Sequence, residues 1–158
     1  MGGVEGGGVA SRLAVSAILK SLYPRLLTAC DEKWSDSAFC DAVLRGAFAD
    51  ACGAVGQAAA GSPELEKMGT TIALAVQTGS TMLVAHCGDS RIYALEGGLE
   101  LVTADHSQAW DLVESGAVDP SEVRHVGNRS VLTRSLMAEG ADFDSALLNA
   151  EGSVAYLL

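Results

Sequence analysis

From Ile72 to Cys87 the apolar residues alternate. Ile72, Leu74 and Val76 share one face of an extended chain, as do Leu83, Ala85 and Cys87, while Met82, Val84 and His86 fall on the other. Period-two patterning over six or seven residues predicts two strands. The three-residue turn Thr78-Gly79-Ser80 predicts that they form a hairpin, with a glycine free to take positive φ. Both faces are mostly apolar, so both are expected to be covered. Gly88 then lets the backbone turn where a side chain would obstruct it. A strand resumes over 91–95, and Gly97-Gly98 turns the chain into another over 99–103.

Helical periodicity precedes the strands. Val9, Leu13, Ala17 and Ile18 predict one face of a helix from Val9 to about Leu22, ended or kinked at Pro24. Asp31 to Ser37 is polar and predicts a loop. A second helix starts at Asp36, a good N-cap, and carries the stripe Leu44, Phe48, Ala51, Cys52 and Val55. Ala58 to Ser62 is small and loose, and Pro63 to Met68 predicts a loop or turn. After the strands, Ser107 caps a helix over 108–114 that stops at Gly116, and Pro120 opens a short helix through Val123. Two helices, a meander and a helical insert suit an α+β sandwich.

Composition narrows the classes. The chain has 158 residues, enough for one core, with no internal repeat and no dividing linker. The net charge of −10, from 20 acids and 10 bases, disfavours nucleic acid and anionic membrane as partners. There is no run of about 18 apolar residues and no signal-peptide pattern, so a cytoplasmic location is expected. Cys30, Cys40, Cys52 and Cys87 have neither zinc-ribbon nor redox spacing, which predicts buried, reduced thiols.

The candidate chemistry centres on Gly88-Asp89-Ser90-Arg91. An acid between a tight turn and a following strand fits delivery of Asp89 to a site at a sheet end, or a turn carboxylate bonded to backbone amides. Gly2-Gly3 with Gly6-Gly7-Gly8 fits a close-packing turn better than a phosphate cradle, because the Gly-Lys-Ser/Thr of a P-loop is missing. Asp105-His106 reads as an acid–base pair or as a turn Asp beside a structural His. His86 reads as a core or interface histidine. Arg134 can hold a phosphate bidentately or form a structural salt bridge.

Taken in order, these segments resemble the metal-dependent Ser/Thr protein phosphatases of the protein phosphatase 2C type. The resemblance rests on Gly69-Thr70-Thr71, Gly88-Asp89-Ser90-Arg91-Ile92-Tyr93, Thr103-Ala104-Asp105-His106-Ser107, Val113 to Gly116 and His125 to Leu136. Met1-Gly2-Gly3 is similar to the end of the family's D-G-M-G-G loop, which makes Gly2 and Gly3 a remnant of its active-site loop. The resemblance implies part of a four-layer α-β-β-α sandwich, with two antiparallel sheets flanked by helices and a flap-like insert at about 107–130. It implies hydrolysis of phosphoserine and phosphothreonine in proteins by a water held between two Mg²⁺ or Mn²⁺ ions. Asp89 matches an acid of an accessory, weakly bound ion.

The departures are as informative. The family's two-ion centre is held by an early acid, the Asp of D-G-M-G-G, and later acids in S-D-G and D-N. An early Arg holds the phosphate. None of these matches a residue of this chain, which resembles a central fragment running from the loop's Met to the strand Val154 to Leu158. The expectation is therefore a phosphatase fragment inactive alone, with at most one weak metal site and a phosphoprotein substrate only when complete. Self-association through unpaired strands is also expected. A noncatalytic module on the same scaffold and a small acidic α+β binding protein are the alternatives.

Overall fold

The computed structural model describes residues 6–95, 97–127, 130–150 and 155–157. The helices are α1 (Gly7–Thr28), α2 (Asp31–Trp34), α3 (Ser37–Ala59) and α4 (Gln108–Glu114). The strands are β1 (Ile72–Thr78), β2 (Thr81–Cys87), β3 (Tyr93–Leu95), β4 (Leu99–Leu101), β5 (Asp144–Asn149) and β6 (Ala155–Leu157). Single 3-10 segments cover Pro63–Leu65 and Pro120–His125.

Two three-stranded antiparallel sheets result, in the orders β1-β2-β5 and β4-β3-β6. α1 and α3 cover one face of the first sheet. Ala10, Ala14, Ile18 and Leu22 from α1 meet Leu44, Phe48, Ala51, Cys52 and Val55 from α3. Both sets rest on Ile72, Leu83, Ala85 and Cys87. The other face of β2 turns Met82 and Val84 toward Ile92 and Ala150, with Val102 alongside. Both faces of β2 are buried, as the double apolar alternation predicts.

Several expectations need correction. The first hairpin turn has two central residues, not three: Thr78 pairs with Thr81, and Gly79 sits at φ +56, the glycine-first geometry of a type II′ turn. α1 does not end at Pro24 but runs to Thr28. Side-chain bonds to the helix backbone flank the proline: the Arg25 guanidinium donates to the Ser21 carbonyl at 2.8 Å, and the Thr28 hydroxyl to that of Pro24 at 2.8 Å. The buried face of α1 is Ala10, Ala14, Ile18 and Leu22, one step round from the face expected, leaving Val9, Leu13 and Ala17 at its margin. The polar stretch after Cys30 holds a short helix, because Trp34 is fully buried and packs edge-on against Phe39 at 5.3 Å. α3 extends through Ala59, and the helix at Pro120 is a 3-10 segment reaching His125. Cys30 is exposed, unlike the other three cysteines.

The caps follow the sequence. Asp36 Oδ1 accepts the amides of Ala38 and Phe39 at 2.9 and 3.4 Å, and Ser107 Oγ accepts that of Trp110 at 3.2 Å. Gly116, at φ +74, follows the end of α4. β1 pairs with β2, and β6 pairs with β3.

Candidate active-site cleft

Gly88 is where the sheet becomes a site. Its φ is +109, and a Cβ there would fall on the Thr71 methyl and 2.7 Å from Thr71 Cβ. Only glycine permits this approach of the loop after β2 to the segment before β1. The contact is completed by Thr71 Oγ1 and Ser90 Oγ, 2.8 Å apart. Between them Asp89 stands exposed, at the rim of a cleft of about 410 Å³. Gly7, Gly69, Thr70, Thr71, Ser130 and Leu132 form the rest of its lining. The short pairings Thr70–Leu136 and Ser107–Leu132 bring the segment after the 3-10 turn against this rim.

The other residues of these segments hold the loop. Arg91 grips Asp105 with two parallel bonds, Nε to Oδ1 and Nη2 to Oδ2, each 2.7 Å, and the pair is half-buried. Those bonds hold the guanidinium more firmly protonated than usual. The Thr103 hydroxyl accepts the Ile92 amide at 3.1 Å. The Gly88 amide donates to His106 Nδ1 at 3.1 Å, and the His106 amide donates back to the Gly88 carbonyl at 3.0 Å. Asp105 and His106 are thus both engaged in holding the turn.

That amide bond also fixes the imidazole. With Nδ1 accepting, neutral His106 carries its proton on Nε2 and directs it to Asp144 Oδ2 at 3.0 Å. Arg134 donates to Asp144 Oδ1 at 2.9 Å and pairs with Asp142 at 3.3 Å. Burial opposes ionisation of Asp144, but the bonds from His106 and Arg134 outweigh it and hold its carboxyl below the usual range. His86 stacks on His106, with ring centroids 4.4 Å apart, and its buried Nδ1 has no hydrogen-bond partner among the described residues. Burial and then the nearby His106 push the His86 pKa down. Burial, followed by Asp142, pushes the Cys87 thiol up to about 12, so it stays neutral.

Two metal hypotheses can be tested on these donors. Hard divalent cations take six or more oxygens, with carboxylates supplying the charge. Among the described residues lining the cleft, Asp89 is the one carboxylate, which does not fit a two-ion centre. His86, His106 and Asp144 place ligand atoms within 4.8 Å of one another. A metal-bound histidine, however, donates its second ring N–H to an acceptor, whereas His106 Nδ1 accepts from Gly88 and leaves Nε2 no free lone pair. His106 and Asp144 form a hydrogen-bonded brace on which His86 stacks, and this arrangement does not fit a metal centre.

Of the residues singled out from sequence, Asp89 lies at the cleft and Arg134 lies in ion pairs with Asp142 and Asp144. Gly2 and Gly3 lie outside the described residues. Asp144 was not legible as a site residue: it opens a short strand, β5, that no alternation announces, 38 positions from His106. The unexplained acids around Phe143 were the available signal.

Comparison with known proteins matches this arrangement. A family model described as protein phosphatase 2C covers residues 1–113. The chain is 31% identical over 160 residues to the serine/threonine protein phosphatase PstP of Mycobacterium tuberculosis, across 100% of this chain and 29% of that protein. It is 31% identical over 144 residues to the serine/threonine phosphatase stp of Listeria welshimeri, across 89% of this chain and 54% of that one. The solved catalytic domain of PstP in complex with two manganese ions superposes with a TM-score of 0.77 at 26% identity, over 99% of this chain and 61% of that domain. The chain thus spans less than two thirds of each of these relatives. Among the described residues no helix is long and apolar enough to cross a membrane. The match over most of its length, together with the two antiparallel sheets and flanking helices, places the chain in the protein phosphatase 2C family.

Proposed function

We propose that these residues are the central part of a protein serine/threonine phosphatase domain, and that hydrolysis of the phosphomonoester needs acidic residues beyond these 158. The observation that carries this reading is the convergence of three separated segments, Gly69-Thr70-Thr71, Gly88-Asp89-Ser90 and 130–132, on one cleft beside the start of α1. The family relationship supports the reaction class, and the manganese in the PstP domain supports a divalent cation. The chain's own part is positional. Thr71, Ser90 and His106 hold the loop that presents Asp89, which offers one carboxylate to a weak accessory cation, and 107–130 acts as a flap over the cleft. Arg134 acts structurally, through Asp144.

A metal-free scaffold that only binds partners is the second reading, and the single carboxylate at the cleft favours it. One comparison decides. With Mn²⁺ and an aryl phosphate, the 158-residue polypeptide is expected to show no chelator-sensitive turnover, because losing the ions removes the nucleophile and with it many orders of magnitude in rate. The same chain within a polypeptide carrying the family's terminal acids is expected to hydrolyse it. Turnover by the 158 residues alone would falsify the need for further acids, and inactivity of the longer polypeptide would favour the scaffold reading.

A further inference from the structure

Every polar group of His106 is engaged, and its partners reach both walls of the cleft. Its amide donates to the Gly88 carbonyl at 3.0 Å, and its Nδ1 accepts the Gly88 amide at 3.1 Å, next to Asp89. Its carbonyl accepts the Thr133 amide at 3.0 Å, and the Gln108 amide donates to the Val131 carbonyl at 3.0 Å. These last two bonds tie 106–108 to the wall that carries Ser130 and Leu132. The remaining group, Nε2, meets Asp144.

Asp144 sits where it can hold that ring. It opens β5 opposite His86 in the sheet register. Successive residues of an extended chain face opposite ways. Phe143 therefore stacks on Phe48 of α3 at 4.2 Å, with the Arg45 guanidinium 5.8 Å from its ring, while Asp144 faces the His86–His106 stack. Anchored by Phe143, the carboxylate divides its two oxygens. Oδ2 accepts from His106 Nε2 at 3.0 Å, and Oδ1 accepts from Arg134 Nη1 at 2.9 Å. Arg134 lies two residues beyond Leu132, so one acid reaches the Asp89 turn through an imidazole and the opposite wall through a guanidinium. Asp144 is half exposed but His106 is buried, and a buried donor stripped of its acceptor is costlier than an exposed one.

We propose that Asp144 is a positioning residue for the cleft, holding the Asp89 turn in register with the 130–132 wall through His106 and Arg134. This deepens the phosphatase reading and rests on it for the rate measurement alone. The test compares Asp144→Asn with wild type by residue-resolved amide hydrogen exchange. Asparagine keeps the size but accepts through one oxygen only, so its NH₂ faces one of the two donors. Exchange at Gly88 and Thr133, whose amides both bond to His106, should speed up by about ten-fold or more, while the Phe48 amide inside α3 keeps its rate. A residue that only stabilised the fold would speed all three alike. Arg134→Gln releases one wall, so Thr133 should speed up and Gly88 should not. If Asp144→Asn loses its melting transition, this second variant still decides. Unchanged exchange at Gly88 in Asp144→Asn, or a uniform rise that includes Phe48, overturns the proposal. So does Arg134→Gln if Thr133 is unchanged or if Gly88 and Thr133 rise equally. In the longer polypeptide carrying the family's terminal acids, Asp144→Asn should lower kcat/KM for an aryl phosphate by about ten- to a hundred-fold at temperatures where it stays folded. An active longer polypeptide indifferent to the substitution also overturns the proposal. An inactive one counts against the phosphatase reading, and the exchange rates then judge Asp144.

Discussion

The two faces of β2 are held by different means. On the helix side, Leu83, Ala85 and Cys87 join a continuous apolar cluster with α1, α3, Trp34 and Leu136. On the side facing β3, the buried apolar cluster is Met82, Val84, Ile92 and Ala150, and the next residue along, His86, stacks on His106 beside a cavity of about 180 Å³. One half is fixed by volume and the other by hydrogen bonds. Volume tolerates exchange of one hydrocarbon for another of similar size. A bonded loop specifies positions, and the Gly88–Asp89 turn belongs to the bonded half. The fold and the site therefore answer to different mutations.

The largest effect is expected on the helix side. Phe48 is fully buried and stacks on Phe143 at 4.2 Å. Phe48→Ala should cost about 3–5 kcal/mol, read as a lower denaturant midpoint, and leave the cleft geometry intact in whatever fraction stays folded. A loss under about 1 kcal/mol would mean that this half is not close-packed.

A smaller, sharper effect is expected at Gly88. Gly88→Ala forces a side chain onto Thr71 and into positive φ, and crowding alone should cost about 1–3 kcal/mol. Adding Thr71→Ser removes the methyl while keeping the hydroxyl that meets Ser90, so part of the loss should return in a double-mutant cycle. Strict additivity would show that the contact is not what requires glycine.

The smallest effect is one of pH. His86 is surrounded by His106, Asp144 and Arg134, and burial, then His106, lower its folded pKa. The unfolded chain then binds a proton that the folded chain refuses. Stability is full above the ordinary histidine value of about 6.5 and falls as pH drops below it toward the lowered folded value. Asp144, also lowered, adds a loss of the same sign in the more acidic carboxylate range. His86→Phe keeps an aromatic ring and should flatten the slope just below pH 6.5, as measured by urea midpoints; an unchanged slope would assign it elsewhere.

What could be read from sequence follows the range of the interaction. The β1–β2 hairpin turn and the Asp36 and Ser107 caps depend on neighbours within a few residues, and all are present. The continuation of α1 through Pro24 was missed because a proline signal is local, while a helix packed along its length against α3 overrides it. Trp34 was hidden in a polar run because one large buried side chain makes no period. The bonds from Arg91 to Asp105 and from His106 to Asp144 join residues 14 and 38 positions apart, and no pattern within either segment announces its partner.

The sheets also set an order of assembly. β1 and β2 are joined by a two-residue turn, whereas the closing pair of β3 and β6, Leu95 with Ala155, lies 60 positions apart. At about 0.6 kcal/mol per doubling, closing the longer loop costs on the order of 2–3 kcal/mol more chain entropy than closing the hairpin. The hairpin can form as soon as it leaves the ribosome, but β3 must wait some sixty further residues for β6, about 3–12 seconds at the roughly 5–20 residues per second of synthesis. During that interval the edge of β3 that later receives β6 is open, and a chaperone that shields strand edges would act on the nascent chain at that point.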